Sequence, residues 1–347
     1  MRKPPSQISH PQVLQLYTSE AGRVLKPKKH LGQHFLRQKS VLNKIIEAAD
    51  LKTGDLVLEI GPGLGVLTEK LAQKAGRVVT IEKDPRLIPL LKEKFKDNRN
   101  VEIVEGDARE LVSSIEYLVS SMKNIRSPSN TRYNPSTSSG LSRVKSRDKI
   151  PDTKYKVVAN LPYYAATHII RCLLELPCPP ELMVLMVQKE VAQRICPSTG
   201  SGRGAKPKMN LLAISVQFYA EAKIISYVSK NAFWPKPKVD SAIIKITPQK
   251  WQKQSVQESH GREKGIQITR TNNCFLNEKN KRLFFKIVKA GFSQPRKQLV
   301  NNLASGLGLP KSQIKNWLLG NKLEPNARAE SLSLENWLAL TKTFVLE

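Results

Sequence analysis

The sequence predicts an α/β chain: a doubly wound, largely parallel sheet followed by a small all-helical C-terminal domain. Three observations carry that expectation. Short β-branched runs alternate with amphipathic stretches over much of the first two thirds of the chain, which requires parallel strands joined by helical crossovers. A glycine loop at Gly61, Gly63 and Gly65 follows the first long strand directly, at the edge where such sheets bind ligands. Near the C-terminus, Leu283, Phe284, Ile287 and Val288 recur at helical spacing, and Lys286, Lys289, Arg296 and Lys297 give that face a basic rim.

Residues 1–25 carry Pro, Ser and Gln without periodicity and read as a flexible tail. A helix is expected from Ser40, which can cap it, with Val41, Leu42, Ile45 and Ile46 on one face. Strands are expected over 56–60, 77–81 and 101–104, ending beside the glycine loop, Glu82 and Asp107 respectively. The segment at about 113–153, rich in Ser, Asn, Pro and Arg, reads as a loose insertion. The sheet resumes near Tyr155 and runs into the corner Asn160, Leu161, Pro162, Tyr163, followed by a helix, a strand over 182–187 and another helix start. Two further strands are expected over 211–218 and 222–228. The expected domains are therefore 26–249, a linker or insertion over 250–279, and a helical domain over 280–347.

Charge is the strongest global signal. Fifty-seven Lys and Arg against 29 Asp and Glu leave a net +28, which favours a polyanionic partner, nucleic acid before anionic membrane. No apolar run is long enough to span a bilayer, and the basic N-terminus lacks the apolar stretch of a secretory signal. The four cysteines, Cys172, Cys178, Cys196 and Cys274, form no C-x-x-C pair, so neither a zinc site nor a disulfide framework is expected, and the economical setting is the cytoplasm.

The glycine loop lacks the third glycine of a dinucleotide fingerprint, because that position is Val66. Its spacing, with Glu59 ahead of it, instead looks like the loop of class I methyltransferases (Rossmann-like), which bind S-adenosylmethionine at this sheet edge. Glu82, an acceptor when ionised, is placed to take two ribose hydroxyls, and Asp107 could receive an adenine amine.

The corner at Asn160 offers a second kind of chemistry. Pro162 fixes its own φ and holds Leu161 extended, so the Asn160 amide and the Leu161 carbonyl form a pair of acceptors suited to an amino group. Accepting from an exocyclic amine favours a pyramidal, more nucleophilic nitrogen. Methyl transfer from a sulfonium is an in-line displacement in which positioning supplies most of the rate, so no strong base is required. A base drawn out of RNA needs aromatic faces, and Tyr163 and Phe233 are the candidates.

These residues resemble a known family. The stretches KKHLGQHFL, LEIGPGLGVLT, VVTIEKD, EGDA, VVANLPYY, FWPKPKVDSA, KAGFSQPRKQLVNNL and ARAESLSLENWLAL are similar, in order, to the KsgA-type rRNA adenine dimethyltransferases, or small-subunit dimethyladenosine transferases. The resemblance implies that His34, Leu36, Gly61, Glu82, Asp107 and Asn160 line an S-adenosylmethionine pocket. It implies that Asn160, Leu161, Pro162 and Tyr163 grip the target adenine, with Phe233 stacked on it. It further implies dimethylation of two adjacent adenosines in a hairpin near the 3′ end of 16S rRNA in the 30S subunit by a monomer that engages no membrane, with the C-terminal helices docking on the subunit. The chain departs from the family in carrying His34 where Asn is usual, Pro295 ahead of Arg296 and Lys297, and longer loose segments. The alternatives are a 23S rRNA adenine methylase of the macrolide-resistance type and a non-catalytic ribosome-assembly factor. Val66 disfavours an NAD-dependent oxidoreductase.

Overall fold

A computed structural model of the chain describes residues 26–28, 31–110, 154–176, 178–196, 209–249 and 278–344. The expected tail at 1–25, the expected insertion at 113–153 and most of the expected linker at 250–279 lie outside the described residues, as does Cys274. The chain divides into two compact units, Met1–Ala192 with Glu221–Pro248, and Gln193–Ala220 with Gln249–Glu347.

The first unit is built on a seven-stranded sheet. A two-residue strand, β1 (Phe35–Leu36), is followed by α1 (Lys39–Ala49), β2 (Leu56–Ile60), α2 (Val66–Ala72), β3 (Arg77–Glu82), α3 (Ile88–Lys94) and β4 (Val101–Glu105). Then come β5 (Lys156–Asn160), α4 (Tyr163–Glu175), β6 (Leu182–Gln188) and α5 (Lys189–Ile195). The α1 cap is Gln38 rather than Ser40, which lies inside the first turn. After α6 (Leu211–Tyr219) come β7 (Ala220–Val228), β8 (Phe233–Trp234) and β9 (Ser241–Pro248).

The strand order is β4-β3-β2-β5-β6-β9-β7. β2 pairs in parallel with both β3 and β5, and β5 in parallel with β6. The chain thus winds outward from β2 one way and then returns to start the other way at β5. That reversal opens a crevice beyond the carboxyl ends of β2 and β5, where ligands bind in open sheets. β9 runs antiparallel to β6, with Met183 opposite Ile246 and Gln188 opposite Ser241. Central strands are mostly apolar because helices cover both faces; in β6, Leu182 through Val187 are all buried.

Lys156 closes the far end of this sheet. Its ammonium donates to Asp50 O at 2.8 Å and Ala49 O at 3.4 Å, the carbonyls that end α1, and to Asp55 Oδ2 at 2.8 Å. A cation there satisfies carbonyls that the helix leaves unpaired and complements its dipole.

In the second unit, α6, α7 (Glu278–Gly291), α8 (Leu299–Leu307), α9 (Lys311–Gly320) and α10 (Leu334–Thr343) make a helical body. Phe218 stacks on Phe284 at 4.4 Å, and Trp337 is fully buried beside Phe292. Asn302 stitches the turn after α7 by donating to Gly291 O and Gln294 O at 2.7 and 2.9 Å. The expected strand over 211–218 is a helix. Asn210 caps it by accepting from Ala213 N at 2.8 Å, and nearly every side chain is buried, so the run has no polar face to betray its period.

Candidate active site

The crevice is a cavity lined by the glycine loop, the ends of β3 and β4, the Asn160 corner and residues 31–36. Leu36, Glu82, Asp107, Asn160, Leu161, Pro162, Tyr163 and Phe233 all reach it, with His34 and Gly61. The fold thus brings together every residue singled out in the sequence.

The loop between β2 and α2 has three glycines with left-handed φ, Gly61, Gly63 and Gly65, of which the first two shape the cavity side. At Gly61 (φ +70°) a Cβ would meet nothing within 4 Å, so the absent side chain is open cavity. At Gly63 (φ +57°) a Cβ would lie 2.8 Å from the Phe35 ring, so the loop is packed against β1. Gly63 N donates to Glu82 Oε2 at 3.1 Å, and Asp84 N donates to Glu82 Oε1 at 2.8 Å. These bonds orient the carboxylate and leave each oxygen a further lone pair for a hydroxyl. Burial raises the Glu82 pKa, partly offset by those backbone donors. Burial pushes Glu59, at the floor of the cavity, up to about 8, although the Thr68 hydroxyl donates to it at 2.6 Å.

Asp107 is more engaged than its expected role suggested. Arg109 Nε and Nη2 and Lys83 Nζ all donate to it, the last at 2.7 Å. These cations, Arg109 foremost, hold its carboxyl well below the usual carboxylate range. It remains an ionised acceptor at the cavity wall.

Residues 31–36 are fastened over the crevice by contacts that the sequence did not reveal. Gln33 Nε2 donates to Asp84 Oδ2 at 2.9 Å, and Gln33 Oε1 accepts from Lys28 N at 2.7 Å. Asp84 is fully buried, yet Arg86 and Gln33 overcome that burial and hold it well below the usual range. β1 pairs with β8, Phe35 opposite Trp234 and Leu36 opposite Phe233, and His34 Nδ1 lies 2.7 Å from Pro235 O. The only hint was the pair of acids, Glu82 and Asp84, at the end of one strand.

The corner is held from both sides. Leu161 N donates to Met186 O at 3.2 Å, extending the β5–β6 ladder, and Pro162 (φ −58°, ψ 130°) turns the chain into α4. Its carbonyl accepts from Ala165 N and Ala166 N at 3.0 and 3.1 Å. Asn160 Nδ2 donates to His34 O at 3.2 Å, which fixes the amide plane. No described residue donates to Asn160 Oδ1 or to the Leu161 carbonyl. Two acceptors therefore face the cavity at the switch point.

The two aromatics are placed differently from each other. Tyr163 stacks on His34 at 5.8 Å, and its hydroxyl lies 2.7 Å from Ser241 Oγ. Burial raises its pKa, so it is no phenolate base. Phe233 reaches the cavity but is 3% exposed, packed with Leu36 and Leu42 in the core. Its ring is part of the wall.

A nucleoside sulfonium fits this cavity: there is open space at Gly61, two oriented acceptor oxygens at Glu82, and an ionised acceptor at Asp107. Among the described residues no group of three His, Cys, Asp or Glu could hold a metal. No described helix is long and apolar enough to cross a membrane.

Comparison with known proteins agrees with this chemistry. A family model described as ribosomal RNA adenine dimethylase matches residues 24–260. A protein named ribosomal RNA small subunit methyltransferase A from Dehalococcoides mccartyi (strain CBDB1) is 40% identical over 320 residues, covering 92% of this chain and 89% of that protein. One of the same name from Alkaliphilus metalliredigens is 34% identical and covers 90% of each. Among solved structures, a dimethyladenosine transferase from Plasmodium falciparum is 25% identical with a TM-score of 0.55, covering 88% of this chain and 96% of that one. The 23S rRNA methyltransferase ErmE is 22% identical with a TM-score of 0.55, over 89% of this chain and 98% of that one, a likeness of fold alone. A switch-point crevice with a glycine loop, two acids and a corner bearing two acceptors thus occurs in a chain that belongs to the ribosomal RNA adenine dimethylase family.

Proposed function

We propose that the chain dimethylates the exocyclic amines of two adjacent adenosines in the 3′-terminal hairpin loop of 16S rRNA, within the small ribosomal subunit, using S-adenosylmethionine. The observation that carries this reading is the pair of free acceptors, Asn160 Oδ1 and the Leu161 carbonyl, held rigid at the cavity by His34 O, Met186 O and Pro162. When bound, the donor supplies an electrophilic methyl at the glycine-loop side. Asn160 and Leu161 would accept hydrogen bonds from the two amine N–H groups and orient the nitrogen lone pair, while residues 31–36 cover the crevice. The N–C bond forms as the donor's S–C bond breaks to a thioether, and one amine proton then passes to solvent. Gly61, Glu82 and Asp107 would hold the donor, with Leu36 and His34 closing over it.

The substrate's size fits the charge. Arg282, Lys286, Lys289, Arg296 and Lys297 of the helical unit are exposed and make no ion pair with a described residue. Such cations neutralise phosphates and make binding depend steeply on salt. The proposed setting is the cytoplasm, with the enzyme acting as a monomer on the assembling 30S subunit. The proposed domain limits are those expected from the sequence, 26–249 and 280–347.

The test is methylation of immature 30S subunits with labelled S-adenosylmethionine, followed by mass spectrometry of the digested RNA. Dimethyladenosine at both adenosines is expected. In a parallel assay on 23S rRNA, label there and none on the 30S subunits would move the assignment to the macrolide-resistance type, and no label in either despite donor binding would favour an assembly factor.

A further inference from the structure

Five large apolar side chains are substantially exposed among the described residues: Tyr164, Ile225, Tyr227, Val239 and Leu319. Of these only Tyr164 lines the cavity. It is 48% exposed, immediately after Tyr163 in the first turn of α4. Successive helical side chains diverge by about 100°. Tyr163 accordingly turns inward, to His34 and Ser241, while Tyr164 turns to the mouth. The guanidinium carbon of Arg109 lies 5.3 Å from the Tyr164 ring centroid, and Arg109 is itself fixed by Nε and Nη2 on Asp107. Gly32 packs closely enough on the ring that a Cβ there would lie 3.3 Å from Tyr164 Cδ1. The ring is therefore braced between two walls of the cavity while half of it stays open to solvent.

A braced, half-exposed aromatic beside a cation is a stacking platform for a nucleotide. Nothing in methyl transfer itself requires it, because the target amine is held by Asn160 and Leu161, with Tyr163 beside them. We propose that Tyr164, braced by Arg109, stacks the nucleotide next to the target adenosine, so that the second adenosine of the pair waits at the mouth while the first is inside. Adjacent residues facing in and out then match adjacent bases, one in and one out. This inference rests on the reading of the substrate given above.

The test is a thermodynamic cycle between Tyr164 and the neighbouring base. Wild type, Tyr164→Ala and Tyr164→Phe are assayed on small subunits reconstituted with intact rRNA and with rRNA abasic at the adjacent adenosine. On intact RNA, Tyr164→Ala should lower kcat/KM roughly 5- to 100-fold, the value of one base–aromatic stack. Tyr164→Phe should keep most activity, since the ring is what is needed. On abasic RNA the loss from Tyr164→Ala should shrink to about threefold or less, because its partner is already gone. Donor affinity, measured by calorimetry, should be unchanged in both variants. Equal losses on intact and abasic RNA would overturn the proposal, and so would a parallel loss of donor affinity, which would make Tyr164 a wall of the donor site. Failure of wild type to modify intact subunits would instead strike the substrate assignment itself.

Discussion

Two glycines of one loop should respond differently to the same substitution. Both Gly61 and Gly63 have left-handed φ, so alanine costs about 1–2 kcal/mol at either from the backbone alone. At Gly61 the new methyl enters open cavity, and nothing else is added. At Gly63 it falls 2.8 Å from the Phe35 ring, which β1 pairing with β8 and packing against Leu64 and Trp234 hold in place. Overpacking of that kind adds about 1–3 kcal/mol. Gly63→Ala is therefore expected to lose about 2–5 kcal/mol and Gly61→Ala about 1–2. Urea unfolding of the full chain reads both. Donor binding by calorimetry should rank them the other way relative to stability: Gly61→Ala stays folded but binds poorly, because its methyl takes the donor's space. Equal destabilisation of the two variants, or normal donor affinity in Gly61→Ala, would refute the reasoning.

Three further outcomes follow from the geometry. Asn160→Ala should cut transfer about 10²- to 10³-fold, as loss of one oriented polar group does, while donor affinity stays within tenfold by calorimetry; wild-type turnover would remove the corner from the mechanism. Lys156→Met leaves two helix-end carbonyls without their donor and Asp55 without its ion-pair partner, keeping only Lys52 N, and should cost about 2–4 kcal/mol, with kcat unchanged in the folded fraction; Asp55→Asn in the same chain should recover part of that loss. Burial raises the Asp55 pKa but Lys156 and Lys52 together more than offset it, so this contribution is present above the unfolded value of 3.8 and is lost as pH falls through the lower folded value. Glu59 has the opposite sign. Its carboxyl rises from 4.5 to about 8 on folding, so its stability is full below 4.5 and declines by up to about 1.4 kcal/mol per pH unit until pH 8. Urea unfolding of Glu59→Gln should lack that slope, and identical pH profiles for the two proteins would contradict it.

The sheet was legible because its central strands are short, apolar and separated by turn residues, and each crossover helix keeps a polar face. The strand ends also announced the site: Glu82 and Asn160 each close a strand, and Asp107 follows the end of another by two residues, all at the crevice. Where a polar face is missing, the period is missing too. The run from Leu211 to Tyr219 is buried nearly all round and was read as a strand, and only Asn210 hinted at a helix start. The antiparallel insertion of β9 beside β6 is a matter of partner choice that no local pattern encodes. Side-chain roles were less legible than positions. Phe233, expected to stack on the base, lines the cavity and also packs with Leu36 and Leu42, a burial that comes from β8 pairing with β1 and that no local pattern encodes. Asp107 shares its oxygens with Arg109 and Lys83, one two residues away and the other twenty-four, and only the nearer could have been guessed.

The fastening of residues 31–36 has a consequence for biosynthesis. His34 reaches Asn160 across 126 residues and Pro235 across 201, and Phe35 pairs with Trp234. A chain emerging N-terminus first makes its glycine loop, Glu82 and Asp107 early, and Gln33 can already meet Asp84, yet the roof is not fully fastened until β8 has been synthesised. Such distant contacts form late, because their loop-closure entropy must be met before they return anything. A nascent chain of this enzyme is thus a crevice without a fully fastened cover, and it becomes competent to shield a reacting amine only when translation of the first unit is nearly finished. A modifier of ribosomal RNA thus has its catalytic crevice covered only once the ribosome making it has read almost the whole of the first unit.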